Sequence, residues 1–214
     1  DPIREITIHR GFSHSIVFPF LIAPFLAWLA FRFVKDPVSW KEWFLFFFVL
    51  ILTHPLLDSL TAYGTQLFLP FSDFRVNFSN LFIVDVAFTL PMLIAAISLW
   101  IMKRNNGGRQ NLARRALIIS GLYVFLSLSA KLYVNGVFSE SLVKKGIQST
   151  HQMTGTTPFN ILLWYTVAEV DSGYFVGDYS LLDPDQNIPY LFLRRNEHLL
   201  EGYRNEYATD RMIW

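Results

Sequence analysis

Hydrophobic and polar positions along the chain separate into four long apolar runs, a polar break and a stretch of alternation. The runs are Ile16 to Phe33, Trp43 to about Leu60, Val84 to Met102, and Ala116 to about Tyr133. Each is close to the roughly 20 helical residues that cross a bilayer core. Trp40, Trp43, Tyr63, Trp100 and Tyr133 stand near their ends, where aromatic rings anchor a span at the interface. Four such runs leave too little polar sequence to cover them as core helices of a soluble protein. Pro19, Pro24, Pro55 and Pro91 fall inside the runs, which a membrane tolerates because neighbouring groups satisfy the freed carbonyls. The pattern predicts an all-α transmembrane bundle of about four spanning helices.

After the fourth run the character changes. Gly146 to Pro158 reads as a polar, Gly/Thr-rich linker. Asn160 to Val170 and Gly173 to Leu182 alternate as strands do, and Asp171-Ser172-Gly173 between them signals a hairpin turn. Arg194 to Tyr207 then has the period of a short amphipathic helix, with Leu199, Leu200, Tyr203 and Tyr207 on one side. The chain thus divides into a helical region, 1–145, and a small α+β extramembrane segment, 146–214. A hairpin and one helix are a thin core, and Trp214 stands in an apolar run, so further residues are expected to complete this segment.

Composition strengthens the membrane reading. The chain is 52% hydrophobic and only 16% charged, with 21 Phe, against about 25% charged in soluble domains. The net charge of +1 gives no field for nucleic acid. Cysteine is absent, which excludes disulfides and thiolate metal ligands. No basic segment of the kind that opens a signal peptide precedes the first run. Lys103, Arg104, Arg109, Arg114 and Arg115 crowd the third connection, and Arg32, Lys35 and Lys41 the first; the second has only Arg75. The positive-inside rule then places the two basic connections in the cytoplasm. The start of run one, the loop Thr61 to Ile83 and everything after run four, Gly155 included, lie outside.

That orientation gathers the ionisable residues at one level. His9, Arg10, Ser13 and His14 precede run one, His54 and Asp58 end run two, Asp73 and Arg75 follow it, and Asp85 opens run three. Only His151 and His198 of the five histidines fall elsewhere. His54 and Asp58, four residues apart, share one helix face. His9 and His14 are expected to be split between the entering loop and the first turn, with Ser13 as the helix cap. The short connection after run one makes runs one and two antiparallel neighbours, which sets His14 level with His54. Imidazoles with carboxylates and no thiols suit Zn²⁺, or else Mn²⁺ or Fe²⁺. The alternative is that His54 simply hydrogen-bonds Asp58, and that His9 and His14 meet lipid headgroups.

The residues also carry a resemblance. His9-Arg10-Gly11-Phe12-Ser13-His14-Ser15 is similar to the His-Arg-Gly-x-Thr-His-Ser motif of the YdjM-like family of predicted membrane-bound metal-dependent hydrolases of the bacterial inner membrane. His54-Pro55-Leu56-Leu57-Asp58 resembles that family's His-x-x-x-Asp helix. Tyr63-Gly64-Thr65, Pro70-Phe71-Ser72 with Arg75, Phe82-Ile83-Val84-Asp85 and Thr89-Leu90-Pro91 follow in the same order, and Pro158-Phe159-Asn160 with Leu162-Leu163-Trp164 resembles the start of the family's tail. Ser13 stands where the family usually has Thr, and the family's N-terminal helix with its Pro-Asp-x-Asp motif would precede Asp1.

The reading that follows is a metal-dependent hydrolase at the outer face of the membrane, acting on a lipid-linked or amphiphilic ester or phosphoester. His9, His14, His54 and Asp58 are the expected metal ligands. Asp85 would be a further ligand or the general base, and Arg75 would hold an anionic group; Arg10 has the same candidate role or anchors a headgroup. The alternatives are a metal-stabilised membrane scaffold whose tail binds a partner, and an ion-coupled transporter, although transporters place their sites at the midplane between repeated halves and no repeat is visible.

Overall fold

The fold is taken from a computed structural model, and it describes residues 11–196. His9 and Arg10 therefore lie outside the described residues, as does the amphipathic helix expected over Arg194 to Tyr207 from 197 onward; its first residue, Arg194, instead ends a strand, and 195–196 are not helical. The four apolar runs are four helices: α1 (Val17–Phe33), α2 (Trp40–Ser59), α3 (Val86–Ile101) and α4 (Arg109–Lys144). Two of them, α2 and α4, are long and apolar enough to cross a membrane; α1 and α3 are shorter, with 17 and 16 residues. At 1.5 Å per residue those two reach about 25 Å, a little less than a hydrocarbon core. The chain divides into two compact units, residues 1–79 and 80–214.

In the first unit, α1 lies beside α2. The buried residues of α1 are Pro19, Ala23, Ala27 and Ala30, a small-residue face of the sort that lets two helices approach closely in lipid. Phe20 meets Phe48 edge to face at 4.7 Å. Ser39 opens α2 with a capping box: its hydroxyl accepts from Glu42 N–H, and the Glu42 carboxylate accepts from Ser39 N–H. Helix α2 runs through Pro55 without a break. The expected cap at the start of α1 is displaced by two residues. Phe12–His14 form a 3₁₀ turn, and Ser15, not Ser13, offers its hydroxyl to Phe18 N–H at 3.3 Å.

In the second unit, α3 and α4 form an antiparallel hairpin packed through Ala95, Ala116 and Ser120, all buried. Arg109 donates to the Leu99 and Met102 carbonyls and so closes the C-terminal end of α3, where a cation also meets the helix dipole. Helix α4 continues eleven residues past Tyr133, where its apolar run was expected to stop. Its buried positions beyond that point are Val134, Val137, Phe138, Ser141 and Leu142, spaced as one helical face.

That face carries the sheet. The strands are β1 (His151–Thr156), β2 (Leu163–Val170), β3 (Gly173–Ser180) and β4 (Tyr190–Arg194), an antiparallel meander in sequence order. Val134, Val137 and Phe138 form one core with Trp164, Tyr179 and Ile188. The hairpin and its turn stand where the alternation placed them, but two strands do not. The stretch read as a linker contains β1, whose register pairs Thr156 with Trp164 and His151 with Glu169. The stretch before the expected helix contains β4, paired with β3 from Gly173 opposite Arg194 to Gly177 opposite Tyr190.

A candidate metal centre in the first unit

The 3₁₀ turn before α1 and the last turn of α2 bring His14, His54 and Asp58 together. The Nε2 atoms of His14 and His54 are 3.1 Å apart. Asp58 Oδ2 lies 3.5 Å from His14 Nε2 and 3.9 Å from His54 Nε2. A triangle with these sides has a point about 2.1 Å from all three corners, the bond length of zinc to imidazole nitrogen and carboxylate oxygen. The i, i+4 spacing on α2 supplies one edge of the triangle, and the antiparallel neighbour supplies the third corner.

Local structure aims the rings. His14 Nδ1 lies 3.1 Å from Ser13 Oγ. With Nδ1–H donating to that hydroxyl, Nε2 keeps its lone pair and faces the other two ligand atoms, the usual arrangement behind a ligating histidine. The side chains of His14 and Asp58 are 20% and 18% exposed, while that of His54 is 66% exposed. The triangle is thus walled on two sides and open on the third. Two imidazoles and one carboxylate fit Zn²⁺ with one coordination position left over, or Fe²⁺ in the two-His, one-carboxylate pattern.

Electrostatics point the same way. Asp58 sits in the last turn of α2, and that turn holds no basic residue. A carboxylate there adds to the partial negative charge of the free carbonyls. A divalent cation held at the triangle would offset both.

Other candidate residues have different surroundings. Arg75 is exposed in the loop after α2, where its Cβ packs against Gly64. Gly64 has φ +71°, and a Cβ there would lie 3.2 Å from that of Arg75, so the glycine is required. Asp73 lends its backbone carbonyl to Gln66. Asp85, in the second unit, is 1% exposed. Its Oδ1 accepts from Ala87 and Phe88 N–H and caps α3, and its Oδ2 accepts from the Tyr123 hydroxyl at 2.8 Å. A cap was readable from an aspartate directly ahead of an apolar helix; its partner Tyr123 on α4 was not. Close by, buried Asn80 donates to Ser127 Oγ at 2.6 Å. His151 begins β1, exposed, and His198 lies outside the described residues.

Two membrane-capable helices and a metal-ready group at one end of a helix pair define a class of membrane protein. The particular family follows from comparison: the model of the YdjM inner membrane protein family matches residues 1–134, and the chain belongs to that family. No curated protein and no solved structure gives a significant match.

Proposed function

We propose that this protein is a membrane-bound metal-dependent hydrolase whose ion is held by His14, His54 and Asp58, with His9 as a further ligand. The observation that carries the proposal is the triangle of ligand atoms with one common point at metal-bond distance. When bound, a divalent ion supplies Lewis acidity and makes water a nucleophile near neutral pH. The chain's own part is to fix that ion. Ser13 orients the His14 ring, the α2 backbone sets His54 and Asp58 on one face, and the exposed side of His54 leaves room for substrate. Arg75 is the candidate for holding an anionic group of the substrate. Asp85, held by three donors, enters as a positioning residue that fixes the start of α3.

The substrate class that suits this site is a lipid-linked or amphiphilic ester or phosphoester, hydrolysed at the outer face of the membrane, with all four apolar helices in the bilayer. Support for that face is the clustering of Lys and Arg in the first and third connections. The scaffold and transporter readings have no specific observation in their favour.

The test is metal content and turnover of the full chain in detergent. Wild type is expected to retain zinc, manganese or iron and to cleave acylated nitrophenyl esters or phosphoesters. His54→Ala is expected to lose both metal and turnover. Retained metal without any turnover would leave the scaffold reading, and equal metal in wild type and His54→Ala would remove the site. Sidedness is tested by impermeant thiol labelling of whole cells at Asp171→Cys against Gly107→Cys, with only the first expected to react. Asp171 is a better position than Gly155, where an added Cβ would lie 2.8 Å from the Tyr165 hydroxyl.

A further inference from the structure

The loop between α2 and α3 is unlike the other two helix connections. Residues 34–39 and 102–108 carry Lys35, Asp36, Lys103 and Arg104 and no aromatic side chain. Residues 60–79 carry Phe68, Phe71, Phe74 and Phe78 besides Tyr63, and every one of these rings is exposed, Phe71 to 85% and Phe74 to 65%.

The loop is not slack. Thr65 and Val76 exchange backbone hydrogen bonds, each 2.9 Å. The Asn77 side chain donates to the Ala62 carbonyl at 2.8 Å, and Gln66 donates to that of Asp73 at 3.2 Å. The amides of Phe71 and Ser72 both donate to the Phe68 carbonyl. The loop is also pinned at both ends of the candidate metal centre: Ile16 N–H donates to Leu67 O, and Phe78 N–H to Ser59 O. Ile16 follows His14 by two residues, and Ser59 follows Asp58 directly. A closed loop thus holds its aromatic rings outward, from the same helix ends that carry the ligand triangle.

We infer that this loop lies in the headgroup–acyl boundary of a phospholipid bilayer, with Phe68, Phe71 and Phe74 seated below the headgroups beside the metal centre. Three features favour lipid over a protein partner. The helix pair that carries the loop likewise exposes large apolar side chains, Phe20, Leu45, Phe46 and Leu56 among them. The loop leaves α2, a helix long and apolar enough to cross a membrane, at that helix's end, the depth at which aromatic belts occur. Its turns satisfy backbone groups internally, as an environment poor in water requires. The inference deepens the hydrolase reading, on which its consequence rests: a substrate reaches the open side of His54 with its tail still among lipid chains, so the scissile group lies at headgroup level.

The absence of cysteine makes a direct test clean. Single nitroxide labels are placed at Phe71→Cys and, separately, Phe74→Cys in the full chain, with Lys103→Cys as the control in a charged connection. Each protein is reconstituted in phosphatidylglycerol–phosphatidylethanolamine vesicles, and collision rates with oxygen and with a neutral nickel chelate are compared. Both loop labels are expected to favour oxygen over nickel several-fold more than the label at 103. A ratio equal to that of the control would place the loop in water and overturn the inference. Exclusion of both reagents at both positions would mean a protein contact and would overturn it equally. The measurement needs no metal, so equal metal in wild type and His54→Ala would defeat the hydrolase reading while leaving this result standing.

Discussion

Asp58 and Asp85 are both carboxylates at the end of an apolar helix, and their surroundings are opposite. Asp85 sits ahead of α3, at the positive end of the helix dipole, and three donors reach its two oxygens. Asp58 sits in the last turn of α2, at the negative end, and faces the Nε2 atoms of two histidines that also face each other. The first arrangement is complete with protein alone. The second brings three potential ligand atoms within reach of one point, as a metal ion would need. The difference teaches that an acidic residue at a membrane helix end is not in itself a functional signal; which end it occupies, and whether donors or acceptors surround it, decides.

The sharpest way to break this comparison is to neutralise each carboxylate in turn. Asp58→Asn is expected to weaken zinc binding at least ~100-fold, about 2.7 kcal/mol, with no loss of stability in the metal-free protein. Asp85→Asn is expected to leave zinc affinity intact and to destabilise the fold by roughly 1.5–3 kcal/mol, since it removes a charged helix cap and a charged hydrogen-bond acceptor. Isothermal titration with zinc and denaturation in detergent measure the two effects separately. A folded Asp85→Asn protein that has lost its zinc would collapse the distinction.

A milder pair acts through the partners of the two groups. Ser13→Ala removes the hydroxyl against His14 Nδ1 and is expected to lower zinc affinity about 10-fold, as supporting groups around metal ligands do. Tyr123→Phe removes the donor to Asp85 and is expected to cost about 1.5 kcal/mol in stability with metal binding untouched.

The smallest effect is expected in the packed core of the second unit. Burial raises the Tyr179 hydroxyl to about 12, with a hydrogen bond to Tyr133 adding to the shift. A folded value above the ordinary 10 means the fold favours the neutral phenol. That contribution is fully present below pH 10 and is lost as pH rises toward 12. Stability of the sheet should therefore fall over that window, and Tyr179→Phe should flatten the fall. An unchanged slope in the Phe variant would assign the alkaline loss to other groups.

What could be read from the sequence follows from length and spacing. Four helices were legible because apolar runs of this size have few other uses, and the hairpin because Asp171-Ser172-Gly173 interrupts a clear alternation. The approach of His14 to His54 and Asp58 was legible from an i, i+4 spacing and a short connection. Other parts lacked a local signal. Strand β1 is His-Gln-Met-Thr-Gly-Thr, with little strand preference of its own, and it exists because β2 pairs with it. The extension of α4 keeps a helical period through Val134, Val137, Phe138 and Leu142, but Asn135, Gly136, Ser139 and Glu140 dilute its hydropathy, so a membrane-run reading stops too early. The three donors around Asp85 come partly from α4, 38 residues away in sequence, a distance no local pattern spans.

One feature of the helices has a mechanical side. Helices α1, α2 and α3 each contain a proline, Pro24, Pro55 and Pro91, whereas α4 has none over its 36 residues. It is therefore a single shaft about 54 Å long. That is longer than the roughly 30 Å of a hydrocarbon core, which the helix is apolar enough to cross, and its C-terminal part is the beam on which the sheet is mounted through Val134, Val137 and Phe138. Bending is what a proline-interrupted helix does when membrane thickness or lateral pressure changes. A stiff shaft instead tilts as a whole, and its free end swings. A tilt of about 10° would carry the far end of α4 some 9 Å sideways, by rigid-rod geometry on that length. With α4 set in a membrane, the sheet would be the pointer of a gauge and the helix its needle.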